Sequence, residues 1–282
     1  VLILDKTSEK TLSSMQYKLA KSIFQLKCNP AKAAMLGDLG WRSIINIIQK
    51  RQIDYFLYLK FSMKNGLHKA IFDKLFENFK GRVKTCWPYF ENIQDILIEH
   101  GLDDVVFRDD NEWYDSFLTI SSQQHKSNFL SECSSKSSLE FYESIKQTPF
   151  LENYLTSSND FVGQRLKFKA RTGCLGIGTD LKRRKCDDGF CKLCSLHPID
   201  DLTHRFFTCS HNQRERIDFY NRIKTSCSPD VFNMFLTLPL NEKLKWCLGD
   251  VVFSIWGKDQ GFLFDKCVKQ FLVTINNDIL NS

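Results

Sequence analysis

Arg165-Leu166-Lys167-Phe168-Lys169-Ala170-Arg171 sets a cation at every second position. Read as an extended strand, the run places all four charges on one face, about 6 to 7 Å apart, a spacing that suits a phosphate backbone. The same pattern suits a solvated strand edge whose charges keep it from pairing. The distribution of charge along the chain sharpens the reading. Residues 1–163 carry 20 basic and 20 acidic residues, and residues 186–282 carry 11 and 12. Between them, Arg165, Lys167, Lys169, Arg171, Lys182, Arg183, Arg184 and Lys185 face only Asp180, so the excess behind the net charge of +6 lies in one short stretch. These eight residues are the candidate nucleic-acid contacts, because clustered cations supply the salt-dependent part of such binding.

Outward from this run, helical periodicity dominates and the fold class is mainly α. Leu12, Met15, Leu19, Ile23 and Leu26 form one apolar stripe, closed by Asn29-Pro30. Ser43 is placed to cap a helix holding Ile44, Ile47, Ile48, Tyr55 and Leu59. Leu67, Ile71, Leu75 and Phe79 predict a third, and Pro88 starts a fourth with Ile93, Ile96 and Leu97. An acidic loop over 103–111 precedes a helix with Trp113, Phe117 and Ile120. Eight of the eighteen residues from Ser121 to Ser138 are Ser, which predicts a loop there. A short helix spans Leu139 to Gln147. Near the C-terminal end one helix holds Leu244, Leu248, Val251, Val252 and Ile255, and another holds Phe264, Val268, Phe271 and Leu272. These stripes are core material. The longest apolar runs are far shorter than the roughly 20 residues of a membrane span, so no membrane partner is expected.

Downstream of the basic run, Cys191, Cys194, His204 and Cys209 are separated by two, nine and four residues. A CxxC turn offers two thiolates, and the later His and Cys complete a tetrahedral shell with no open position, so the expected cofactor is one structural Zn2+. His197 and Cys186 are rival ligands, and His211 a weaker one. Eleven Cys, an odd number, without a secretory signal point to buried thiols plus metal ligands in a reducing compartment, intracellular and either nuclear or cytoplasmic. The segment around the ligands carries few core candidates, so metal would have to hold it, and structural zinc contributes about 10 to 16 kcal/mol in small fingers. Three thiolates on one zinc ion leave a net charge of minus one, which does not disfavour the neighbouring cations.

Several segments, in order, resemble the region downstream of the polymerase in non-LTR (LINE-type) retrotransposon polyproteins. Ser14-Met15-Gln16-Tyr17-Lys18, followed by Ala34-Met35-Leu36-Gly37-Asp38-Leu39-Gly40-Trp41, is similar to that family's post-polymerase helix and the element after it. Phe150-Leu151-Glu152-Asn153-Tyr154-Leu155 and Lys169-Ala170-Arg171-Thr172-Gly173 resemble the approach to its CCHC finger. The finger resembles the family's ligand for ligand, with Phe206-Phe207 between the last two. One departure is Gly173-Cys174-Leu175-Gly176-Ile177-Gly178, where the family carries a more polar stretch. The resemblance spans most of residues 12–220. It implies a helical connector over 1–160, a basic segment with the finger over 161–225, and C-terminal helices over 226–282. It further implies that RNA or DNA is the partner, together with the rest of the polyprotein, and that Arg165, Lys167, Lys169 and Arg171 make contacts.

Motifs for catalysis are missing, and no catalytic residue is assigned. Phe107-Arg108-Asp109-Asp110 imitates a polymerase signature but lacks a second apolar strand and a partner aspartate. Pro229-Asp230, Glu242 and Lys245 are wrongly spaced for a nuclease, and the glycines of 173–178 are not followed by the Lys-Ser or Lys-Thr of a phosphate loop. The expected function is that of a zinc-dependent nucleic-acid-binding accessory region without its own catalysis. Phe168, Phe190 and Phe206 are candidates either to stack on unpaired bases or to fill the core. The alternatives are a zinc-stapled protein-interaction domain and a non-functional retroelement remnant. The chain lacks an initiator Met, which reads as a fragment or processed piece.

Overall fold

The structure is a computed structural model that describes residues 5–64, 66–81, 88–156 and 160–281. The opening Val1-Leu2-Ile3-Leu4 lies outside the described residues. The chain is mainly α, and among the described residues β pairing is limited to the isolated bridges Leu39 with Leu151 and Phe190 with Ile199. In chain order the α-helices are α1 (Lys6–Ile23), α2 (Lys32–Asp38), α3 (Ile44–Leu57), α4 (Leu67–Lys80), α5 (Tyr89–Glu99), α6 (Trp113–Ser134) and α7 (Glu140–Ile145), then α8 (Asn153–Thr156), α9 (Phe161–Arg171), α10 (Gly178–Arg183), α11 (Gln213–Ser226), α12 (Pro229–Thr237), α13 (Leu240–Leu248) and α14 (Val251–Asn281). None is long and apolar enough to cross a membrane among the described residues.

Two compact units form, Val1–Lys18 with Arg42–Asn128 and Leu19–Trp41 with Phe129–Ser282. In the first, Ser43 caps α3 as its position predicts, its hydroxyl accepting from Asn46 N–H. A π-helical turn over Tyr58–Ser62 extends α3. The core is largely aromatic: Phe56, Phe72, Phe76 and Phe90 are nearly inaccessible and meet with ring centroids 5.3 to 6.1 Å apart. Each buried ring contributes about 1.5 to 3 kcal/mol of burial. In the second unit, α9, α11, α13 and α14 enclose a core that includes Leu166, Phe206, Phe219, Phe235, Leu248, Phe264 and Phe271.

Several expectations are corrected. Most of the Ser-rich stretch is not a loop, because α6 runs through it to Ser134; the chain leaves the helix only where serine is densest, at Ser135 and Lys136, before a 3-10 turn over Ser137–Leu139. Ser121, Phe129 and Cys133 are buried along α6, so helical packing outweighs the loop-forming tendency of serine there. The predicted apolar stripe is core only at Leu26, just past the end of α1: Met15, Leu19 and Ile23 are about half exposed, while Ala20 and Phe24 are buried instead. The helix expected across 244–257 is broken at Gly249, whose φ −96 and ψ −170 end α13, while Gly257, at φ +75 and ψ 178, kinks α14 into two helices at the end the sequence predicts. Finally, residues 165–171 are not extended. Asp160 caps α9 by accepting from Gly163 N–H at 2.9 Å, and the alternating cations become helical neighbours.

Candidate metal centre and basic surface

The metal-ligating candidates are assembled by two local devices. Phe190 bridges Ile199, and Cys191 N–H donates to the Pro198 carbonyl at 2.8 Å, so the Cys191–Cys194 turn folds back on its own continuation. His204 then opens a π-helical turn over His204–Thr208, and Cys209 N–H closes it by donating to the His204 carbonyl at 2.8 Å. A π turn brings residues i and i+5 together, which is the spacing of His204 and Cys209. All four ligand atoms lie within 4.8 Å of one another, and all four residues are buried. Cys191 Sγ is 3.9 Å from Cys209 Sγ, and Cys194 Sγ is 3.6 Å from His204 Nε2. Zinc bonds of about 2.3 Å to sulfur and 2.0 Å to nitrogen, set tetrahedrally, require edges of about 3.8 and 3.5 Å. The cluster could therefore hold a metal ion.

Electrostatics agree with that use. Burial pushes the Cys209 thiol upward, and the adjacent Cys191 adds to the rise, so a thiolate there needs a cation. Burial lowers the His204 imidazole and keeps it in its neutral, ligating form. His204 Nδ1 lies 3.0 Å from Thr208 Oγ1, and in the tautomer that donates there Nε2 faces the sulfur atoms as an acceptor. The rival ligands are elsewhere. His197, at φ +44, has its Nδ1 2.9 Å from the Cys191 carbonyl, and Cys186 and His211 are exposed outside the cluster.

Asp200 ties the cluster to the helices. Its carboxylate accepts from Arg205 through both oxygens and from Gly178 N–H at 2.7 Å. A Cβ at Gly178 would lie 2.7 Å from Asp200 Cβ and 2.9 Å from the Gly189 carbonyl, so only glycine permits this approach. Phe206 and Phe207 run from the π turn into the helical core, with Phe206 edge-on to Phe271 at 5.3 Å. Sequence reasoning missed Thr208, Asp200, Arg205 and Gly178. Their roles depend on where backbone N–H groups and side-chain donors end up, which no residue spacing records.

The basic candidates divide sharply. On α9 Lys167 and Arg171 share a face, as residues four apart do, and that face is interior, with exposures of 1% and 0%. Lys167 Nζ is 2.6 Å from Asp265 Oδ1, and Lys269 Nζ is 2.6 Å from Asp265 Oδ2. Arg171 donates to Glu152 at 2.8 Å, Asp38 at 3.1 Å and the Leu248 carbonyl at 2.8 Å. Tyr142 and Tyr154 donate to Asp38 at 2.9 and 2.7 Å, and Lys146 pairs with Glu152. Burial opposes charge on Glu152, yet Arg171 and Lys146 outweigh it and hold the carboxyl low. Lys167 and Arg171 are thus internal counter-ions, without access to a phosphate. Arg165 and Lys169 are half-buried, and Arg165 donates to the Gln25 side chain. Lys182, Arg183, Arg184 and Lys185 are exposed on the end of α10 and the turn after it. Beside them Phe190 is 44% exposed with Lys182 Nζ 5.9 Å from its ring centre, whereas Phe168 and Phe206 are fully buried.

In comparisons with protein-family models, with curated proteins and with solved structures, nothing matched this chain.

Proposed function

We propose that Cys191, Cys194, His204 and Cys209 hold one structural zinc ion and that the surface beside them binds nucleic acid, as an accessory region of a non-LTR retrotransposon-type polyprotein. Three sulfur donors and one imidazole in a closed tetrahedron suit zinc, and a filled shell gives the ion a structural role. The observation that carries the binding half is the exposed run Lys182, Arg183, Arg184 and Lys185 next to the exposed Phe190 ring. Cations of this kind contact phosphates without reading sequence, and an exposed ring stacks on an unpaired base. The segments that resemble the retroelement family contribute Asp38, Glu152, Tyr154 and Arg171 to one buried cluster, which supports reading them as the framework behind the surface. The chain would have no catalysis of its own, would act in the reducing interior of the cell, nucleus or cytoplasm, and would bind RNA or DNA alongside the rest of the polyprotein.

The test is zinc content together with binding to single-stranded and duplex oligonucleotides across a salt series. One zinc per chain is expected, lost in Cys191→Ser or His204→Ala. Affinity should fall with salt, and replacing Lys182, Arg183, Arg184 and Lys185 by Ala should flatten the slope of log K against log salt by about 0.7 to 0.9 for each phosphate contact removed. An unchanged slope would overturn the assignment. A second reading has its own support: Phe206 and Phe207 join the cluster to the helical core, so zinc without nucleic-acid binding would leave a stapled interaction domain.

A further inference from the structure

Within the second unit, α7, the end of α9, α10, the turn before His204 and the start of α13 converge on a cavity of about 510 Å³. Sites for small organic ligands have this size, and one nucleobase with its sugar can enter it. The floor is apolar: Ala170, Ile177 and Leu244 are buried, with Phe141 and Leu202 half-buried at the sides. Two cations line the cavity and each is already paired, Arg183 with Asp180 at 3.3 Å and Lys245 with Glu242 at 2.8 Å. Two more acids, Glu140 and Asp201, are exposed at the rim and are in no ion pair among the described residues. Asp201 Oδ1 accepts from His204 N–H at 2.7 Å, so Glu140 is the acid that keeps both oxygens for a ligand. Arg183 joins this cavity to the basic run. Its Nη1 turns back over Gly173, where a Cβ, at φ +63, would lie 2.6 Å from that nitrogen and 3.0 Å from the Ser138 carbonyl. Lys182, Arg184 and Lys185 stand outside the cavity.

We propose that the cavity is a pocket for one unpaired guanine, in a single strand whose phosphates lie on Lys182, Arg183, Arg184 and Lys185. The inference rests on the nucleic-acid reading above and adds a base preference to it. Charge is arranged as a nucleotide requires, with cations outside for the phosphate and unpaired carboxylate at the rim for the base. Ionised carboxylates only accept hydrogen bonds, so the rim repels a phosphate and selects a ligand edge made of N–H donors. Guanine has such an edge, since N1–H and N2–H lie side by side and match the two oxygens of Glu140. Cytosine and adenine set a ring acceptor beside their amino group, and uracil and thymine set a carbonyl on each side of N3–H. Either pattern brings an acceptor against a carboxylate oxygen. The apolar floor takes the face of the ring, as pockets for extruded bases do. In a duplex the same edge is occupied by its partner base, which restricts the pocket to unpaired guanine.

The experiment uses the full chain and two fluorescent single strands of equal length, one all uridine and one with a single guanosine at its centre. The guanosine strand should bind about tenfold more tightly, the effect of one bidentate pair. Glu140→Gln, at an exposed position, should abolish that preference while leaving affinity for the uridine strand and its salt slope unchanged. Ser144→Trp, which puts an indole at the rim, should do the same. Replacing Lys182, Arg184 and Lys185 by Ala should weaken both strands alike and keep the preference. Equal, salt-dependent affinity for the two strands would overturn the guanine pocket and leave the nucleic-acid reading standing. A preference that survives both Glu140→Gln and Ser144→Trp in chains with native circular dichroism would also overturn the pocket. Binding of neither strand would overturn the nucleic-acid reading, and guanosine and uridine monophosphates then test the cavity by itself. Methyl shifts at Ile177, Leu202 and Leu244 with the guanosine nucleotide alone would sustain the pocket, and their absence would overturn it.

Discussion

Arg171 is a cation with no exposed surface, its guanidinium divided between Glu152, Asp38 and the Leu248 carbonyl. Arg171→Ala would leave two buried carboxylates without their shared counter-ion, a loss of about 3 to 5 kcal/mol in unfolding free energy, measurable by urea titration. Arg171→Lys should recover little, since one ammonium cannot span both acids as a planar fork does. At the Cys/His cluster the equivalent single residue is Thr208, whose hydroxyl lies within hydrogen-bond distance of the His204 ring. Thr208→Val should weaken zinc binding by about 10- to 100-fold in competition with a chromophoric chelator, with the helical content unchanged.

At the scale of elements, α9 and α14 are joined by an ionic group in which Asp265 stands between Lys167 and Lys269. Burial opposes ionisation of Asp265, but the two ammoniums prevail and its pKa lies below the ordinary 3.8. As pH falls, the unfolded chain therefore takes up this proton first, and the stability due to the ionised group is present above 3.8 and lost as pH falls through the lower folded value. The difference in urea midpoint between the native chain and Asp265→Asn should be constant from about pH 7 to 5 and should shrink towards about pH 3. A constant difference down to that pH would mean that the two lysines do not hold the carboxylate. The contrast with α10 is one of position: Lys182 and Arg183 lie in its last turn and are exposed, so changing them alters the surface and leaves the packing of α9 intact.

For the whole molecule, the Cys/His cluster, which could hold a metal ion, is the point at which a loop-rich segment joins the helical core through Phe206 and Phe207. Structural zinc contributes on the order of 10 kcal/mol in small fingers, comparable to the full stability of a domain. Chelation should strip hydrogen-exchange protection from residues 190–212 and lower the melting temperature of the second unit. Amides of α3, α4 and α5 should keep their protection, because their core of Phe56, Phe72, Phe76 and Phe90 needs no metal. Uniform loss of protection would show that the two units do not unfold separately.

The helical class and the clustering of Cys191, Cys194, His204 and Cys209 were legible in the sequence for the same reason: both rest on residues close together in the chain. The Ser43 cap, the start of α5 after Pro88, and the CxxC and His-x4-Cys spacings are local geometry. The alternating run at 165–171 was not legible, since a period of two also places Lys167 and Arg171 one helical turn apart. What decided between strand and helix was the location of acidic partners. Asp265 lies 98 residues from Lys167, and Asp38 lies 133 residues from Arg171. The sequence by itself determined a mainly helical chain with four clustered residues that could hold a metal ion. Tertiary structure alone decided which cations are spent on buried carboxylates and which are left on the surface, because desolvating a charge is tolerable only where the fold delivers its counter-ion.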